Sequence, residues 1–119
     1  MKYTIDKHER YVVIEPLREV IDGTAANYLK GEFMLRNTAG QRNIVLDLNQ
    51  VKEISEEGIR IGLLAHRLCN AAGGDFIIIN INPQVEQTLK VLHLDKHFTI
   101  LKSLSAAEDM IFGNELQRD

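Results

Sequence analysis

The sequence predicts an α/β domain: a mixed, mostly parallel sheet of four or five strands with helices laid against it, in the order β-β-α-β-α-β-α-β-α. Residues 43–48 (Asn-Ile-Val-Leu-Asp-Leu) and 75–80 (Asp-Phe-Ile-Ile-Ile-Asn) are nearly unbroken in apolar character. Strands covered on both faces read this way, so the two are expected to be adjacent parallel inner strands. Between them, residues 56–72 show helical periodicity, and strand, helix, strand implies a right-handed parallel crossover.

The remaining elements follow in order. Residues 2–5 and 11–15 are rich in β-branched and aromatic side chains around a polar turn at 6–9, which predicts a hairpin at the sheet edge. Pro16 lacks the N–H a ladder would use and ends the second strand. Residues 17–23 read as irregular. Ala26, Leu29 and Phe33 then recur with helical spacing, and Gly40 supplies a stop, which predicts a helix over 24–39. In the helix over 56–72, Ile61, Leu64, Leu68 and Ala72 form the expected buried stripe, widened by Ile59 and Leu63, with Arg60 and Arg67 facing elsewhere. Asn82-Pro83 is an N-cap followed by proline at the first helical position, and Val85, Leu89 and Leu92 follow at helical spacing. Residues 98–101 read as a short strand. The last helix is expected to open on a capping box of Ser105 and Glu108 and to bury Ala107, Met110 and Ile111. Residues 114–119 are polar and read as a frayed tail, giving one domain over 1–113.

Composition narrows the function. With 119 residues, 45% of them hydrophobic, the chain suffices for one continuous core. Its 14 basic and 17 acidic residues give a net charge of -3 with no run of Lys or Arg able to follow a phosphate backbone, so nucleic acid is not an expected partner. No apolar stretch approaches the roughly 18 to 20 residues that cross a bilayer, and residues 1–10 are too polar for a signal peptide. A cytoplasmic protein without a membrane partner is expected, and the single cysteine, Cys69, fits a reducing compartment.

Chemistry-bearing constellations are sparse. His66 and Cys69 are three apart and His93 and His97 four apart, but neither pair has a third ligand at a supporting spacing, so no metal is expected. Gly73-Gly74 follows a helix and precedes a strand, the reverse of a phosphate loop, and reads as a helix stop. No cofactor loop is present. The segment that stands out is 51–62, Val-Lys-Glu-Ile-Ser-Glu-Glu-Gly-Ile-Arg-Ile-Gly, between a buried strand and the next helix. Its backbone N–H groups point outward at the positive end of a helix dipole. Ser55 as N-cap with Glu56 and Glu57 in the first turn is also what an ordinary stable helix start looks like.

The stretch 43–104 resembles the central part of a STAS domain, the family of anti-sigma factor antagonists. There a strand of the type Val-Leu-Asp-Leu leads through Val-x-x-Ile to Asp-Ser-Ser-Gly-Leu at the second helix. Here residues 44–48 match the strand, Val51 and Ile54 match the apolar positions, and Ser55-Glu56-Glu57-Gly58-Ile59 falls where the family has Asp-Ser-Ser-Gly-Leu. Gly73-Gly74-Asp75-Phe76, Asn82-Pro83, Val85, Leu94 and Phe98 are similar to the downstream elements, and Asp22 sits where the family carries an acidic residue beside the switch serine.

The resemblance implies a STAS-like fold and a bacterial, non-catalytic regulatory domain of transcription control that binds protein. Its partner would be a serine kinase that also acts as anti-sigma factor, or a larger regulatory complex. In the family the second serine of the motif is the phosphorylated one, and this chain has Glu57 there. A phosphoserine carries about -1.5 to -2 charge, so a glutamate is a partial, permanent imitation that phosphorylation cannot switch. The implied recognition surface is Asp22, Ser55, Glu56, Glu57, Gly58, Arg60 and Arg67. The alternative is a small-ligand or enzymatic domain using Glu56, Glu57 or Asp22 as base or ligand group. A deep apolar pocket beside Glu57 would favour it, and a flat surface would favour protein binding.

Overall fold

The structure, a computed structural model, describes residues 1–118. Strand β1 (Tyr3–Lys7) pairs antiparallel with β2 (Val12–Pro16), and Tyr3 lies opposite Pro16. A two-residue strand β3 (Val20–Ile21) precedes helix α1 (Gly23–Thr38). Then follow β4 (Ile44–Asp47), the two-residue β5 (Glu53–Ile54) and helix α2 (Glu56–Ala71). The chain closes with β6 (Phe76–Ile79), α3 (Pro83–Val91), β7 (Thr99–Leu101) and α4 (Leu104–Arg118).

The main sheet has five strands in the order β1-β2-β4-β6-β7, and every pairing after the hairpin is parallel. The apolar segments around 43–48 and 75–80 are neighbouring inner strands, as their two-sided apolar character requires. Their side chains alternate between two cores. Ile44, Leu46, Phe76 and Ile78 pack with Leu29 and Phe33 of α1, Ile59 and Ala65 of α2, and Val85 and Leu89 of α3. Val45, Ile77 and Ile79 face the other way, against Ala107 and Ile111 of α4. Three helices therefore cover one face of the sheet and one covers the other.

Several expectations need correction. The supposedly irregular 17–23 contains β3, which pairs in parallel with β5 as a separate two-stranded sheet. The buried stripe of α2 is Gly58, Ile59, Gly62, Ala65 and Cys69, while Ile61, Leu64 and Leu68 are half-buried and Ala72 is exposed. Small side chains line the contact because α2 packs closely; a Cβ at Gly62 would already lie 3.3 Å from the Phe98 ring. Leu92 is the C-cap of α3 and is exposed. Ser103, not Ser105, supplies the oxygen that opens α4, accepting from the Ala106 N–H at 3.2 Å.

The expected frayed tail is helix as far as Arg118. Its polar residues are held from elsewhere. Glu115 is buried and accepts from Arg42 and from Asn43 Nδ2 at 2.7 Å; Asp75 accepts from Asn114 at 2.9 Å and from Arg118 at 3.2 Å. Asn43 also donates to the Arg10 carbonyl and accepts from the Asp75 N–H, tying α4 to the starts of β4 and β6. Asp119 lies outside the described residues.

Gly73-Gly74 is the helix stop that the sequence predicts. Gly73, at φ +82°, donates to the Asn70 carbonyl and Gly74 donates to that of Cys69 at 2.8 Å, the paired bonds of a Schellman ending. His93, at φ +58°, closes α3 the same way. His66 packs edge-on to Phe98, and burial pushes the Cys69 thiol up to about 12. No described helix is long and apolar enough to cross a membrane.

Three outcomes follow from these contacts. Ser55 Oγ accepts the Gly58 N–H at 3.1 Å as the N-cap of α2, so Ser55→Ala should cost about 0.5 to 2 kcal/mol in a denaturant melt. A Cβ at Gly74 would lie 1.9 Å from the Arg42 carbonyl oxygen, which only a backbone shift relieves. Gly74→Ala should therefore cost at least the roughly 1 to 3 kcal/mol of ordinary overpacking in the same melt. Burial raises the Glu115 pKa, but hydrogen bonds from Arg42 and Asn43 and the charges of Arg42 and Arg10 outweigh it, so the net shift is downward. A depressed carboxylate stabilises above its ordinary value of 4.5 and loses that contribution as pH falls through the folded value. Acid titration of stability should accordingly be steeper below that pH for the wild type than for Glu115→Gln.

Candidate functional site

The candidate site is built on the small β3–β5 sheet. Val20 lies opposite Glu53 and Ile21 opposite Ile54, the Glu19 carbonyl accepts from the Lys52 and Glu53 N–H groups, and the Ser55 N–H donates to the Ile21 carbonyl at 2.8 Å. One residue beyond each strand is a helix N-cap, Asp22 for α1 and Ser55 for α2. Two short strands in parallel register thus start two helices side by side, with their positive ends together.

Asp22 Oδ1 accepts the Ala25 N–H at 2.9 Å, and Arg18 reaches Oδ2 at 3.4 Å. The backbone hydrogen bond from Ala25 is the main cause that holds the Asp22 carboxyl below its ordinary range, and the Arg18 charge adds to it. Glu56 pairs with Arg60 one turn on, at 2.5 Å, with both side chains exposed. Glu57 is exposed in the first turn of α2. Gly58 is buried, and a Cβ there would come within 2.7 Å of Ile54 and 2.9 Å of Ile21. It lets the first turn of α2 sit directly on the β3–β5 pair. Arg67, seven residues after Arg60, is exposed farther along α2.

Glu57 and Arg60 line one wall of a shallow, open depression whose other wall is α1, with Thr24, Asn27 and Lys30. Asp22 stands at the head of that wall as the cap of α1. Sequence reasoning missed Thr24, Asn27 and Lys30. Nothing local marks them, because they reach Glu57 only through the pairing of two strands of two residues each. On the other side of Arg60 runs a more apolar groove with Ile54, Leu63, Leu92 and Leu94.

Beneath the surface at Gly58, the space among Ile21, Ile59, Ile78 and Phe98 is apolar and about 20 Å³, little more than one water occupies. A deep pocket beside Glu57, the feature that would have favoured an enzyme or small-ligand reading, is not what the geometry presents. Among the described residues no group of three or more His, Cys, Asp or Glu side chains converges on a metal position. The arrangement suits recognition of a surface: fixed backbone, exposed charges of both signs, and an adjoining apolar groove.

Residues 2–107 match the STAS domain family model. A Bordetella bronchiseptica protein described as the anti-sigma factor antagonist BtrV is 28% identical over 107 residues, covering 90% of this chain and 91% of that protein. The crystal structure of a Thermotoga maritima protein described as an anti-sigma factor antagonist superposes with a TM-score of 0.83 at 22% identity, covering 92% and 93% of the two chains. A serine-to-glutamate variant of Moorella thermoacetica RsbS superposes over 100% of both chains with a TM-score of 0.75 at 24% identity. Matching the family model over most of its length and sharing the fold of these solved structures, the chain belongs to the STAS domain family and is similar within it to the anti-sigma factor antagonists.

Proposed function

We propose that this chain is a cytoplasmic, non-catalytic regulator that binds a protein partner through the surface around Glu57 and is not switched by serine phosphorylation at that position. The observation that carries the reading is the placement of Glu57. It lies exposed in the first turn of α2 and lines one depression with Lys30 and Thr24 of α1; the resemblance of Ser55-Glu56-Glu57-Gly58-Ile59 to the family motif supports reading it as the counterpart of the phosphorylated serine. Glu56 has Arg60 as a charge partner within its own helix, so Glu57 contributes the less compensated negative charge of the two. That the Moorella relative keeps a superposable fold with glutamate in place of a serine supports a glutamate as compatible with this architecture.

The partner class is a serine kinase of the anti-sigma factor type or a larger regulatory complex built from such domains. A kinase using this interface brings its nucleotide phosphates close to residue 57. A carboxylate there adds like-charge repulsion in a partly desolvated interface, which favours a scaffold or an altered partner over a reversible switch. The recognition surface comprises Asp22, Ser55, Glu56, Glu57, Gly58, Arg60 and Arg67, with Thr24, Asn27 and Lys30 added by the fold. Asp22, Ser55 and Gly58 position the surface, and the charged side chains of Glu56, Glu57, Arg60, Arg67 and Lys30 meet the partner.

Glu57→Ser should restore binding to, and phosphorylation by, a kinase of this type from the same cell, measured by calorimetry and by phosphate incorporation. Ser55→Asp combined with Glu56→Ser and Glu57→Ser should recover more, because aspartate keeps the N-cap while the loss of Glu56 frees Arg60. Wild type binding as tightly as the triple variant would mean that Glu57 serves only the helix dipole and that the phosphomimetic reading is wrong.

A further inference from the structure

The groove on the far side of Arg60 runs between the first two turns of α2 and the end of α3. Ile54, Ile59 and Leu63 line it from one side and Leu92 and Leu94 from the other, around an open volume of about 400 Å³. Leu92 is 49% exposed, and Ile54, Leu63 and Leu94 are half-buried. Packing within the chain leaves these outer surfaces in water, where covering them is favourable. Interface size decides what covers them. A protein that binds around Glu57 with a standard interface covers ~800 Å², a patch roughly 16 Å in radius. Leu63 lies roughly 9 Å beyond Glu57 along α2, and a neighbouring packed helix is roughly 10 Å across, so the groove falls inside that patch. Arg60 lines both the groove and the depression that holds Glu57, which makes the two one continuous surface.

The lining also fixes the form of the occupant. Thr88 Oγ1 donates to the Gln84 carbonyl, Glu56 and Arg60 pair at the rim, and the N–H groups of Leu92, His93 and Leu94 are bonded within the ending of α3. An extended segment would find no ladder along these walls, whereas a helix satisfies its own backbone. A small molecule fits the volume but would meet no polar group placed to orient it. The rim charges of Glu56 and Arg60 cancel, which gives an anionic lipid surface no purchase.

We propose that the groove takes an amphipathic helix of the partner protein, which seats apolar side chains at i, i+3 and i+4 spacing between α2 and α3. This occupant rests on the reading that a partner binds around Glu57, and it adds a helix with an apolar face to what that partner must carry. The charged groups around Glu57 then select the partner, while the groove supplies the apolar anchor that such interfaces centre on.

Two experiments separate the groove from that reading. In the first, nuclear magnetic resonance shift mapping of the full chain uses a stapled helical peptide of roughly 15 residues with leucines at that spacing, and a control of the same composition broken by a central proline. The helix at about 1 mM should perturb Ile54, Ile59, Leu63, Leu92 and Leu94. Leu92→Glu changes an exposed helix end, so the melting temperature should hold while peptide binding weakens by about tenfold or more. Val91 is 66% exposed and lies outside the groove, so Val91→Glu should stay within about twofold of the wild type. In the second experiment, Glu57→Ser supplies binding to a kinase of the anti-sigma factor type, and adding Leu92→Glu should weaken it by about tenfold or more in calorimetry. Absence of the peptide shifts, an equal response to the proline control, or a wild type already dimeric through Leu92 overturns the assignment of the groove. So does kinase binding that Leu92→Glu leaves unchanged. Peptide shifts in the groove without kinase binding by Glu57→Ser would instead sink the phosphomimetic reading and leave the helix site standing.

Discussion

The candidate site depends on one pairing, that of Val20-Ile21 with Glu53-Ile54, closed by the hydrogen bond from the Ser55 N–H to the Ile21 carbonyl. Asp22 and Glu57 are far apart in sequence, and each belongs to a different strand-to-helix turn. The short parallel ladder fixes the two turns in register, so that both N-caps emerge at one level and both helices leave in the same sense. Gly58 is part of this device, since any side chain there would press on Ile21 and Ile54 and lift the first turn of α2 off its support. The exposed charges are thus held by backbone hydrogen bonds and apolar packing beneath them.

That division of labour explains how the surface charges can vary without loss of the fold. Glu56 and Arg60 form an ion pair with side-chain exposures of 74% and 66%, a setting in which such pairs contribute about 0 to 1 kcal/mol. An acidic side chain in the first turn of a helix adds about 0.3 to 1 kcal/mol through the helix dipole. Both effects are small beside the packing of Ile21, Val51 and Ile59, all buried in the larger core. Changing the charge of residues 56 and 57 is therefore expected to leave the fold intact.

How much of this was legible in the sequence follows the physical range of each signal. Strands 44–47 and 76–79 were legible because covering a strand on both faces leaves an unbroken apolar run. The ends of α1 and α2 were legible because a helix stop needs a residue tolerant of positive φ. The buried side of α2 was misread because hydrophobicity was used as a proxy for burial, whereas close packing against the sheet selects Gly62, Ala65 and Cys69 and leaves Ile61 and Leu64 at the flanks. The β3–β5 ladder was not legible, since two-residue strands carry no periodicity and exist through each other. The last turns of α4 were hidden for a related reason: Glu115 is polar in sequence and buried in space because Arg42 and Asn43 come to meet it.

A reversible switch requires two states whose affinities for the partner differ, and the partner can bias them only by that difference. Phosphorylation supplies the difference by adding and removing charge on a fixed scaffold. In the reading proposed here the scaffold is kept, with both caps hydrogen-bonded and the glycine in place, while the charge is made constant at Glu57. A constant carboxylate is also weaker than a phosphate, with one charge and two oxygens against about -1.5 to -2 and three. On that reading its effect would be to set a graded preference among partners and not to exclude one of them. Control would then lie in which partners are present and at what concentration.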